Sequence, residues 1–199
     1  MTSGDVLHRL RTATAADHER VEATLELLDP DLDRARLARA MTALHGFWAV
    51  AEAGLARWAA RHPGDAGRLD WSRRRRAHLY EADLRALAAP PSPRRPALPD
   101  VVDTDGALGR MYVLEGATLG GTFIDRHLST LPALSGVRLR AFSPYGEGTG
   151  AMWHAYRGAT RAHVAASGDA DRVVDAACDT FATLADWVGA DRRERHSLE

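Results

Sequence analysis

Apolar residues recur along most of this chain at intervals of three and four, and runs that alternate apolar with polar are nearly absent. The pattern predicts helix throughout and an all-α class. Leu7, Leu10, Thr14, Val21, Leu25 and Leu28 line one face of a first helix that Asp5 can cap and Asp29-Pro30-Asp31 ends. A second, longer helix over residues 32–61 carries Leu37, Met41, Leu44, Trp48, Ala51, Leu55 and Trp58 toward the core and stops before His62-Pro63-Gly64. A third is predicted over residues 72–88, with Arg73-Arg74-Arg75-Arg76 in its first turns. Positive charge there opposes the helix dipole, so this start is expected to be weakly held.

Residues 89–99 are too rich in proline for a helix and read as an extended linker within the domain. A fourth helix starts near Asp103 or Asp105 and runs to about Leu131. A turn region over residues 132–148 follows, then helices over 149–166 and 169–188. At 199 residues the chain suits one compact domain, drawn here as residues 1–190, with 191–199 as a flexible tail.

Charge and cysteine content narrow the function. Acidic and basic residues nearly cancel, 27 against 26, and the arginines are spread out, so no nucleic-acid partner is expected. No apolar run approaches the ~20 residues that cross a bilayer and the first residues lack a signal-peptide pattern, so a cytoplasmic protein without a membrane partner is expected. Cys178 is the single cysteine, which excludes an internal disulfide, a cysteine zinc cluster and an iron–sulfur site. Paired Glu-x-x-His motifs of a di-iron carboxylate bundle are absent too.

Three groups of residues could carry chemistry. Arg11, Thr14, His18 and Glu22 share the apolar face of the first helix. Burial there would favour the neutral imidazole that ligates a metal, and Arg11, about 10 Å along the helix, could meet a carboxylate. An axial imidazole with an anion-binding arginine at that reach suits a haem, although a core histidine beside a solvated arginine has the same spacing. Gly109, Gly116, Gly120 and Gly121 form the second group; each costs about 1 kcal/mol relative to alanine inside a helix. They strip one face and permit a kink, for a planar cofactor or equally for a close helix crossing. In the third group, Met152 to Arg157, Tyr156 and Arg157 offer a hydroxyl and a guanidinium, unless the aromatic residues are simply core.

Together these segments resemble the biliverdin-producing haem oxygenases, especially the bacterial branch associated with phytochromes. Leu10-Arg11-x-x-Thr14-x-x-x-His18-x-x-x-Glu22 is similar to the proximal-helix signature, and Tyr112-Val113-Leu114-Glu115-Gly116-Ala117-Thr118-Leu119-Gly120-Gly121 to the distal glycine-rich helix. Met152-Trp153-x-x-Tyr156-Arg157 falls where the family places a propionate-binding segment. The resemblance implies that haem b lies between the first helix and a kinked distal one, with His18 as axial iron ligand. It implies that Gly116, Gly120 and Gly121 form the catalytic face and that Arg11, Thr14, Tyr112 and Arg157 bind the cofactor. Haem would be cofactor and substrate together, dioxygen the co-substrate, and a ferredoxin or flavoprotein reductase the electron donor, with a phytochrome as possible consumer of biliverdin. Many family members have an aspartate where this chain has Ala117; backbone-held water, with Thr118 as a helper, would take its place. A haem-delivery protein without oxygen chemistry is the alternative.

Overall fold

Asp5 accepts a hydrogen bond from Leu7 N and starts α1 (Val6–Ala13), as the sequence predicts, but the single first helix is in fact two. Thr14 interrupts it at φ −99°, ψ 0°, before α2 (Ala15–Leu25). The Thr14 hydroxyl donates to Leu10 O at 2.8 Å, a back-bond that bends helices. Helical N–H bonds from Thr14 to Leu10 O and from His18 to Thr14 O carry the chain direction across the break. Glu26 then turns left-handed (φ 48°), ending α2 short of the expected Leu28.

Asp33 caps the long α3 (Arg34–Arg61), whose inner side holds Leu37, Met41, Trp48, Leu55 and Trp58. Its end lies where the sequence places it, yet Pro63 starts a short unforeseen helix, α4 (Pro63–Arg68), at the position where a missing N–H costs nothing. The helix predicted over residues 72–88 is likewise two, α5 (Trp71–Arg74) and α6 (Ala77–Ala86), parted inside the arginine run. The arginine run is divided: Arg73 and Arg75 are exposed, whereas Arg74 and Arg76 are buried.

The proline-rich stretch is extended as expected, and Thr42 Oγ1 donates to Pro90 O at 3.1 Å. Asp103 caps α7 (Thr104–Leu128), which stays helical through Gly116, Gly120 and Gly121. Two 3-10 turns lead to α8 (Thr149–Ala166) and α9 (Ala170–His196). The computed structural model describes the backbone of residues 4–196 and the side chains of residues 4–190. Helix α9 therefore runs past 188 into the predicted tail, whose side chains, and all of residues 197–199, lie outside the described residues.

Helices α7 and α9 cross closely at the core. A Cβ on Gly109 would stand 2.4 Å from Val173 O and 2.7 Å from Ala176 Cβ, so only glycine permits this approach. The helix-crossing reading thus holds for Gly109. Among the described residues there is no strand, and no helix is long and apolar enough to cross a membrane.

Candidate haem site

A cavity of about 580 Å³ opens between α2, α7 and α9, within the size range of small-molecule sites. One wall comes from α2 with His18 and Glu22, and the opposing backbone from α7 with Gly116, Ala117 and Gly120. Phe181 of α9 meets the histidine ring and Leu184 adds to the same lining, with buried Trp48 and Tyr80 inside and exposed Leu28 and Phe123 at the rim. Phe123 is 71% exposed and Leu28 57%, large apolar groups that a ligand in the cavity would cover.

His18 is more open than a place on the apolar face implies: its side chain is 55% exposed. Its ring meets Phe181 edge-on at 5.7 Å, and Nδ1 lies 3.5 Å from Glu22 Oε2. With Glu22 on the Nδ1 side, Nε2 is the ring nitrogen left clear for a metal. Among the described residues no group of three or more His, Cys, Asp and Glu side chains could hold a bare metal ion. A haem would bring the other donors of its iron within the macrocycle, so a single protein imidazole suits it.

The glycines divide by role. A Cβ on Gly116 or Gly120 would meet nothing within 4 Å, so both leave open space on the cavity side of α7. That cradle fits a flat ligand. Gly121 serves another contact: a Cβ there would lie 2.0 Å from Phe142 O. It seats the 141–142 segment against α7 and is not part of the cavity face.

The remaining predicted residues are placed as follows. Arg11, Thr14, Tyr112 and Arg157 do not line the cavity. Thr14 is buried with its hydroxyl committed to Leu10 O. Burial raises the Tyr112 pKa, while the Thr14 hydroxyl and the Arg11 charge beside it act the other way, so these three are gathered in one place. Arg157 acts on Asp5, at the other end of α1. Tyr156 is core: it is fully buried, stacks on Trp153 and donates to Leu108 O at 2.8 Å. Thr118 is buried too and donates to Glu115 O at 2.7 Å, so its hydroxyl does not reach the cavity.

Sequence reasoning missed the polar groups that hold α7 from behind. Glu115, next to the first cavity glycine, pairs with Arg74, and the two side chains are 1% and 2% exposed. Tyr145 Oη donates to Glu115 Oε1 at 2.9 Å, and Arg74 Nε to Leu69 O at 2.6 Å. Arg76 donates to Leu114 O and lies 5.6 Å over the Trp48 ring. Buried Glu52 accepts from Arg76 N and Ala77 N, capping α6 from α3. The arginine run was visible, but its partners are far off in sequence, and no local pattern marks them.

A sequence model described as Heme oxygenase matches residues 4–190. No curated protein sequence matches the chain. Among solved structures, the fold is similar to a haem oxygenase from Neisseria meningitidis crystallised with NO and CO, with a TM-score of 0.74 and 20% identity, covering 95% of this chain and 92% of that one. With that match spanning nearly its whole length, on an all-helical fold whose cavity sets one imidazole against a glycine-cradled helix, the chain belongs to the haem oxygenase family, and it is a haem-degrading enzyme.

Proposed function

We propose that His18 is the single protein ligand to the iron of haem b and that the product is biliverdin, with carbon monoxide and iron released. The observation that carries this reading is the pairing, across one cavity, of an imidazole oriented by Glu22 with two glycines whose missing side chains leave room for a plane. Haem is the substrate, and when bound its iron supplies the activation of dioxygen.

The chain's own residues bind and direct. Glu22 holds the His18 ring by its Nδ1 side. Gly116 and Gly120 keep the α7 backbone close to the ligand plane, which confines reaction to one edge by steric direction. Leu28 and Phe123 exclude water at the rim once covered. Arg11 and Tyr112, gathered together outside the cavity lining, would meet propionates that extend beyond it, Arg11 by charge and Tyr112 by a hydroxyl kept neutral by burial. Ala117 contributes no acid, so protons come through water held by backbone groups.

Enzymes of this family draw electrons from outside, and this chain has no nucleotide fingerprint or cysteine cluster of its own. A ferredoxin or flavoprotein reductase in the cytoplasm fits that need, and membership of the phytochrome-linked branch would make a phytochrome the consumer. Turnover of purified protein with haem, ferredoxin, its reductase, NADPH and dioxygen tests the proposal. Biliverdin absorbance should replace the Soret band. A Soret band that persists without biliverdin would favour haem delivery instead.

A further inference from the structure

Residues 137–142 have no helix or strand to satisfy their backbone, yet Ala141 and Phe142 form part of the cavity wall. Two contacts hold this segment. From α6, the buried Asp83 carboxylate accepts Arg140 N–H at 3.0 and 2.9 Å and Ala141 N–H at 2.8 Å. From α7, Gly121 makes room for the Phe142 carbonyl, the atom a side chain at that position would strike.

Asp83 forms no ion pair among the described residues; its hydrogen bonds go to two backbone donors of an irregular segment. A carboxylate is costly inside a protein unless it is hydrogen-bonded, and buried backbone N–H groups need a partner equally. Each side of this contact therefore satisfies the other. Gly121 directly follows Gly120 of the cavity face, so the wall and the glycine cradle share one stretch of α7.

We infer that Asp83 is a positioning residue: with Gly121 it clamps the Ala141–Phe142 wall, and that wall sets how haem on His18 is turned in its own plane beneath Gly116 and Gly120. In-plane orientation decides which edge of the macrocycle faces the glycines. The clamp therefore governs which biliverdin isomer forms, and not whether haem is ligated. This rests on the assignment of the cavity as the haem site.

Three variants test it: Asp83→Ala, Asp83→Asn, which keeps one acceptor oxygen, and Phe142→Ala, which trims the wall without touching the clamp. In the haem-free protein, amide exchange at Arg140 and Ala141 is expected to quicken by about 100-fold in Asp83→Ala and less in Asp83→Asn, with α7 unchanged. In the haem-loaded protein, the wild type should show one set of haem methyl resonances. Asp83→Asn and Phe142→Ala should show two, with the ratio of minor to major biliverdin isomer raised about tenfold while the Soret band is kept. Unchanged exchange would overturn the clamp. Faster exchange with a single unchanged haem orientation and isomer ratio would overturn its positioning role. A wild type that binds no haem would instead remove the site assignment, while the exchange data would still report on the clamp. Should Asp83→Ala fail to fold, the other two variants carry the test.

Discussion

The two walls of the cavity are built differently. Helix α2 has Val21 as its one buried residue, no side-chain cap at its start, and the exposed His18 and Glu22 on its cavity side. Helix α7 is capped by Asp103, largely buried over residues 104–115 and held from behind there by Arg74 and Arg76. The wall that offers the metal ligand is thus open and lightly fastened, whereas the wall that must lie close to the ligand is fixed by interior polar bonds. A ligand can complete the first. It needs the second already in place, because a plane is directed only by a surface that does not yield.

Breaking the fastened wall should have the largest effect. Replacing Arg74 or Glu115 alone by alanine leaves its partner charged and buried, which typically costs about 3–5 kcal/mol. Denaturant unfolding should show that loss for each single variant. The double replacement by apolar residues of similar size should recover much of it, since the lone buried charge is the dominant penalty.

The glycines sharpen the contrast next. Gly121→Ala and Gly109→Ala force a Cβ onto a carbonyl and should destabilise by about 1–3 kcal/mol or more. Gly116→Ala and Gly120→Ala add a methyl to open space and should stabilise the haem-free protein by up to about 1 kcal/mol, through helix propensity. The same two variants should weaken haem binding and slow turnover. Thermal melts with and without haem check both signs.

The smallest effects are those of pH. Hydrogen bonding by Arg161 holds the Asp5 pKa below the ordinary carboxylate range, so its contribution is complete above that range and is lost as pH falls below about 4. Burial raises the Glu52 pKa, against the pull of the Arg76 and Ala77 N–H groups. The folded state then holds that proton more tightly, and the stability linked to it is lost as pH rises from about 4.5. Asp5→Asn should flatten the acid side of the stability profile, and Glu52→Gln the side above it.

Much of this contrast was legible in the sequence, and unevenly so. Helix class, the end of α3, the start of α7 at Asp103 and the extended prolines follow from local pattern, because caps, periodicity and proline act within a few residues. His18, Gly116 and Gly120, which the structure brings to one cavity, could be singled out for a similar reason: their spacing on a helix, joined to the motifs that carry the resemblance. Gly121 was found but misread, since its partner, Phe142, belongs to a segment that no periodicity describes. The break at Thr14 was hidden in a face that continues across it. No local pattern marks Arg74, Arg76, Glu52 and Asp83 as interior, and only tertiary contacts distant in sequence show it.

The central claim, that His18 ligates haem iron while contributing little to the fold, is tested most directly by His18→Ala. Because the side chain is largely exposed, the haem-free variant should melt within about 0.5 kcal/mol of wild type. Its ferric haem spectrum should lose the signature of imidazole ligation, with no biliverdin formed, and added imidazole should restore the spectrum. An unchanged haem spectrum and turnover in a folded His18→Ala protein would contradict the account.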